Sequence, residues 1–122
     1  MYQIELLKSK IHGAKITDAN LHYKGSLTLD EELMDAAGMV EYEKILVVNN
    51  SNAERLETYF IKGPRGSGVC CLNGAAARKA VNGDVIIIMS FLSINHEAAG
   101  SWKPTKVFVD QNNEVEKIEI DK

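Results

Sequence analysis

Two cysteines, adjacent at Cys70 and Cys71, are all the thiol this sequence offers. On a strand, neighbouring side chains point to opposite faces, so this pair cannot easily bridge. No second ligand set accompanies them, which argues against a zinc site, and small core thiols in a reducing compartment are the simple reading. Long apolar runs are missing as well. The longest, Val85-Ile86-Ile87-Ile88-Met89, falls far short of the roughly 20 residues a membrane helix needs. Residues 1–20 carry Glu5, Lys8, Lys10 and Lys15, so no signal-peptide core can be drawn there. Nor is there a strong charge bias. A net charge of −3 and a pI near 5.6 argue against nucleic acid or an anionic membrane as partner. His12, His22 and His96 form no defensible metal set. A cytoplasmic protein without a metal is expected.

What is present suits an ordinary globular domain. The chain has 122 residues, 45% apolar and 25% charged, enough for one domain and too short for two. Segments rich in Val, Ile, Leu and Tyr recur between turn clusters, predicting strands near 2–12, 21–29, 44–50, 55–62, 68–72, 84–92 and 104–110, with a weaker one near 114–119. Asn49-Asn50-Ser51-Asn52, Lys62-Gly63-Pro64-Arg65-Gly66 and Asp110-Gln111-Asn112-Asn113 supply the breaks. Helices are few and short. Asp30 is placed to cap Glu31–Ala37, with Gly38 as the stop; Asn73 is placed to cap Gly74–Ala80, and 95–99 could form a third. Many short strands with little helix suggest a small barrel, whose closure would remove exposed edges.

Three Gly-Ser dipeptides occur, at 25–26, 66–67 and 100–101, and each alone reads as a turn or flexible joint. The first lies inside a strand-like run, Leu21-His22-Tyr23-Lys24-Gly25-Ser26-Leu27-Thr28-Leu29, where glycine often marks a bend or close backbone approach. A strained Gly-Ser bond permits unusual chemistry. The serine hydroxyl can attack the preceding carbonyl and move the chain from amide nitrogen to ester oxygen, helped by a glycine that has no Cβ in the way. Elimination then leaves dehydroalanine, which hydrolyses to a pyruvoyl group with loss of ammonia. That ketone fills the role of a bound cofactor.

Five collinear pieces carry a family resemblance: Lys10-Ile11-His12, the run Thr17–Ser26, Arg55 with Thr58-Tyr59, Asn73-Gly74-Ala75-Ala76-Ala77, and Gly83-Asp84-Val85. In order and approximate spacing, over nearly the whole chain, they resemble the bacterial aspartate 1-decarboxylases. The resemblance selects Gly25-Ser26 over the other two dipeptides. It implies a mainly β fold, a six-stranded double-psi β-barrel with a few short helices. It also implies self-cleavage of the single domain 1–122 into 1–25 and 26–122, the larger piece starting with a covalent pyruvoyl group from Ser26, with neither metal nor pyridoxal phosphate. The activity implied is conversion of L-aspartate to β-alanine and carbon dioxide, a step of pantothenate biosynthesis, through a Schiff base with the substrate amine. A homotetramer with sites between subunits is implied, matured unaided or by a helper protein.

Roles follow for individual residues. Arg55 suits a substrate carboxylate, because a guanidinium matches it in a two-pronged geometry. Tyr59 carries over as proton donor, since a phenol is neutral near pH 7 and has a transferable proton. Thr58 carries over as a hydroxyl contacting the site. Gly74, Ala75 and Ala76 would offer unpaired backbone N–H groups to the substrate, with Asn73 near the pyruvoyl. Lys10 and His12, two apart on one strand face, would add positive charge for a dianion, and Tyr23 would help position the Gly25-Ser26 bond.

In a regular strand Arg55 and Tyr59 lie about 13 Å apart, farther than aspartate reaches, and Thr58 faces the other way. An irregularity near 55–59 is therefore expected, and a regular ladder counts against their sharing a site. Two positions depart from the family pattern. Gly13 stands where an arginine is expected, and Asn52-Ala53 replaces Asn-Gly, so that hairpin is expected to be looser or of another type. The rival readings are a non-processing barrel that binds a small ligand or a protein, and a pyruvoyl decarboxylase acting on another acidic amino acid such as glutamate.

Overall fold

The computed structural model of the chain describes residues 1–20 and 26–120. It is mainly β with few short helices. The strands are β1 (Gln3–Lys15), β2 (Asp18–Asn20), β3 (Ser26–Asp30), β4 (Lys44–Asn49), β5 (Arg55–Gly63), β6 (Cys70–Asn73), β7 (Val85–Asn95), β8 (Thr105–Val109) and β9 (Val115–Ile120). They form one nine-stranded order, β2-β6-β3-β5-β4-β7-β1-β8-β9, with no closure among the described residues. Three pairs, β1/β8, β2/β6 and β3/β5, are parallel.

Alternation builds the core. Ile45 and Val47 on β4, Ile86 and Ile88 on β7, and Ile11 on β1 turn inward and are fully or almost fully buried, together with Leu27, Leu29, Phe60 and Leu72. Each such side chain contributes about 1.5–3 kcal/mol of burial. The opposite face of the same strands is also apolar, with Leu46, Val48, Ile87 and Met89 half-buried. Cys70 is in the core and Cys71 faces outward, as alternation requires; burial pushes the Cys70 thiol up to about 12.

Helix α1 (Glu31–Ala37) starts where its capping sequence predicts. The Glu32 N–H donates to Asp30 Oδ1 at 2.9 Å, and Gly38 ends the helix with φ +68°. Asp30 does more than cap, because its carboxylate also accepts the Gly66 and Gly68 N–H groups at 2.9 and 2.8 Å. That ties the loop after β5 to the end of β3. A short helix α2 (His96–Ala99) follows β7. Among the described residues no helix is long and apolar enough to cross a membrane.

Two expectations fail here. The segment Gly74–Lys79 is a 3₁₀ helix, and Asn73 does not cap it with its side chain. The hairpin at Ala53 is not loosened. Ala53 accepts the left-handed conformation itself, at φ +63°, and the turn is closed by Ala53 N–H to Asn49 O at 2.9 Å and Asn49 N–H to Glu54 O at 2.8 Å. Asn52 adds a side-chain bond from the Glu54 N–H at 2.9 Å. These bonds hold alanine where glycine would sit without strain.

Candidate active site

Strand register determines which residues meet. Ser26 pairs with Asn73 across β3/β6. On the other side of β3, Leu27 pairs with Phe60, which sets Ser26 beside Tyr59. Tyr59 in turn pairs with Lys44. Laterally paired residues share a sheet face, so Asn73, Ser26, Tyr59 and Lys44 form one row on the outward face. Ser26 is 3% exposed and Asn73 6%, so both polar side chains need partners. The Asn73 amide donates to Ser26 Oγ at 3.0 Å and to Thr28 Oγ1 at 2.9 Å. The Cys71 thiol donates to Asn73 Oδ1 at 3.2 Å. This network explains why Asn73 is not a cap: its Oδ1, the atom a cap would use, accepts the Cys71 thiol, and its N–H groups face Ser26 and Thr28.

A second row runs through Arg55, Val48, Ile87, His12 and Phe108, and a third through Glu57, Leu46, Met89, Lys10 and Lys106. All these residues share the outward face with Ser26. Arg55 is exposed, and the acids that flank it are engaged elsewhere, Glu54 by Lys79 at 2.9 Å and Glu57 by Lys44 at 3.0 Å. The guanidinium is thus left without an ion partner among the described residues. The imidazole of His12 lies 5.5 Å from the Phe108 ring, while its buried Nδ1 has no hydrogen-bond partner among the described residues. Lys10 and Lys106 stand side by side, so the β1/β8 end of this face is cationic.

The predicted irregularity at 55–59 is absent. The β4/β5 register runs without a shift from Lys44–Tyr59 to Val48–Arg55. Shifts fall elsewhere, in β1 between Leu7 and Ser9 and between His12 and Ala14, the second at Gly13 with φ +92°, and in the β8/β9 pair between Phe108 and Val109. Arg55 and Tyr59 therefore stay about 13 Å apart along the strand. Thr58 turns inward with Leu56 and Phe60, opposite to both. Lys10 and His12 on β1 are four strand spacings from β3, about 19 Å. A groove of about 370 Å³ on the outer face is lined by Glu5, Lys44, Ile45, Leu46, Glu57 and Phe91; it reaches neither Ser26 nor Arg55. The structure gathers Asn73, Ser26 and Tyr59, and within one chain it does not bring Arg55, Lys10 or His12 to them. Gly25 and Tyr23 lie outside the described residues.

Comparison with known proteins agrees with the resemblance. The aspartate decarboxylase family model matches residues 2–116. The chain belongs to the aspartate decarboxylase family. An aspartate 1-decarboxylase of Phocaeicola vulgatus is 60% identical over 107 residues, 88% of this chain and 92% of its own length. One from Parabacteroides distasonis is 59% identical with the same coverage. Another, from Caldicellulosiruptor saccharolyticus, is 57% identical over 115 residues, 94% of this chain and 90% of its own.

Three supporting residues of this family member escaped sequence reasoning. Thr28 shares the Asn73 amide with Ser26; its position two residues after Ser26 on one strand was the available signal. Asn49 donates to Lys79 O and to Asp84 Oδ2, both at 2.9 Å, and Asn52 donates to the same Lys79 carbonyl at 3.0 Å. The hairpin that carries Arg55 is thereby fastened to the end of the Gly74–Lys79 segment. The Asn-rich turn announced a turn, but its cross-chain acceptors are set by the fold.

Proposed function

We propose that this protein is a self-processing, pyruvoyl-dependent aspartate 1-decarboxylase that converts L-aspartate to β-alanine and carbon dioxide, with the double-psi barrel its family implies. The observation that carries the reading is the Asn73-Ser26-Tyr59 row, in which a buried serine hydroxyl accepts a bond from a fixed amide beside a phenol. In self-cleavage the Ser26 hydroxyl adds to the carbonyl of residue 25 and expels its own amide nitrogen, forming the ester. The hydroxyl proton passes to that nitrogen, and the Asn73 amide orients Oγ for the attack and steadies it when the Cβ–Oγ bond breaks and Oγ leaves in the carboxylate of residue 25. Elimination across the Cα–Cβ bond breaks the ester, and hydrolysis releases ammonia. The same Asn73 amide is placed to hold the pyruvoyl group, which supplies an electrophile and electron sink that no ordinary side chain offers.

The remaining residues bind substrate and move a proton. Arg55 takes a carboxylate in a charge-assisted fork, and Lys10 and His12 add positive potential for the dianion. Gly74, Ala75 and Ala76, small and adjacent to Asn73, let the substrate approach the backbone. Tyr59 carries the proton on its phenol oxygen and delivers it to the carbon that lost carbon dioxide. Thr58, on the opposite face of β5 from Ser26 and Tyr59, is given no part in either step. On this reading Arg55, Lys10 and His12 serve a Ser26 on a neighbouring copy, which their separation from Ser26 along the sheet supports. The half-exposed band Leu46, Val48, Ile87 and Met89 between the two patches suits burial against that copy, as does the unpartnered His12 Nδ1. A homotetramer with sites between subunits follows this pattern.

Intact mass tests the reading. Incubated protein should resolve into residues 1–25 and 26–122, the larger piece resistant to Edman sequencing, and Ser26→Ala should stay whole and inactive. Decarboxylation of aspartate by uncut Ser26→Ala protein would overturn the mechanism.

A further inference from the structure

We infer that Tyr42 is a positioning residue that buttresses the Tyr59 ring toward Ser26, an inference that rests on Tyr59 being the proton donor. Tyr42 sits in the left-handed region, at φ +70°, where a bulky side chain is a genuine outlier and asparagine or glycine would be at ease. Burial does not hold it there, since it is 69% exposed. The turn holds it. The Tyr42 N–H donates to Phe60 O at 2.9 Å and the Phe60 N–H to Glu43 O at 3.2 Å. The Glu43 carboxylate is fixed in turn by the Val40 N–H at 3.0 Å and Lys8 Nζ at 2.9 Å.

The product of this strained turn is an aromatic contact. The Tyr42 and Tyr59 rings lie 6.3 Å apart, tilted by 41°, within the range of an attractive tilted pair. Register puts Tyr42 on the β4 side of Tyr59 and Ser26 on its β3 side, so Tyr42 closes off the direction in which the Tyr59 ring could swing away from the serine. A strained, exposed aromatic that gains no burial, and whose ring contact falls on a functional side chain, is where backbone strain points to function.

Tyr42→Asn separates positioning from structure, because asparagine suits the turn and folding should improve. The variant should melt roughly 2–6 °C higher and cleave itself at the normal rate. Its kcat for aspartate should fall about two- to tenfold, the weight of an aromatic pair, with KM little changed, and Tyr42→Phe should restore kcat. Unchanged kcat in Tyr42→Asn would overturn the inference. So would a loss of kcat that comes with a lower melting temperature or slower self-cleavage, since that marks a damaged fold. Tyr59→Phe keeps the two readings apart. Normal turnover there removes the proton-donor assignment itself, whereas a dead Tyr59→Phe beside a wild-type-like Tyr42→Asn removes the buttress alone.

Discussion

Mixing two inactive variants asks whether one chain can supply a whole site. From Ser26 to Arg55 the straight line between Cα atoms, one strand spacing sideways and four residues along β5, is about 14 Å, with no bulge in the β4/β5 ladder to shorten it. Aspartate alone does not span that distance, so within one chain the Arg55 side chain would have to lie extended along β5 toward Ser26. Ser26→Ala removes the electrophile and all turnover. Arg55→Ala removes a charged, two-pronged contact of about 2–3 kcal/mol, a loss of roughly 30- to 150-fold in kcat/KM. Neither parent alone makes much β-alanine. If each site takes Ser26 from one chain and Arg55 from its neighbour, equal co-expression with random assembly makes about a quarter of the sites complete. The mixed enzyme, purified through different tags on the two chains, should then show about a quarter of wild-type turnover per site by β-alanine release. Activity no greater than the average of the parents would refute the shared-site geometry and require Arg55 to reach Ser26 within its own chain.

Three further outcomes follow from single contacts. Asn73→Ala removes the amide donor that holds Ser26 Oγ and should slow self-cleavage by roughly 10- to 100-fold, followed by gel or mass over time; cleavage at the wild-type rate would remove Asn73 from that step. Ala53→Gly relieves the left-handed alanine at φ +63° and should raise stability by about 1 kcal/mol, read from the denaturant midpoint at unchanged slope. Asp84 is held below the usual carboxylate range by the Asn49 amide and then the Val81 N–H. Its stabilisation is therefore present above the unfolded value of about 4 and is lost as pH falls through the lower folded value. Acid unfolding of Asp84→Asn should accordingly be less steep over that window than that of the unaltered protein.

Much of the scaffold was legible because local chemistry determines it. Asp30 and Gly38 announce both ends of α1, and the unbroken Val-, Ile- and Leu-rich runs 45–48 and 85–89 mark β4 and β7. The short β2 went unseen, as three residues carry no period. Asn73 was misread for a physical reason. An asparagine before a run of small residues has the composition of a cap, but its amide finds Ser26 and Thr28, 47 and 45 residues away in the chain, and no local rule can weigh that competition. The regular ladder at 55–59 was missed on a different ground. The expectation of a bulge came from asking one chain to gather every site residue, and the strand satisfies its own pairing instead.

That last failure carries the strongest argument about assembly. A strand bulge costs ladder bonds and is retained where it re-aims a side chain. This chain keeps β5 regular and places two bulges in β1, at Lys8 and Gly13, flanking Lys10 and His12, with a further shift between β8 and β9 at Phe108/Val109. The backbone is therefore distorted beside the cationic patch and left straight between Arg55 and Tyr59. A site completed by a second copy needs no bend in β5, only an outward face on which the Ser26 row and the cationic rows are held at fixed separation. A stiff, regular sheet provides that separation better than a kinked one, and the apolar band between the two patches gives the second copy something to bury.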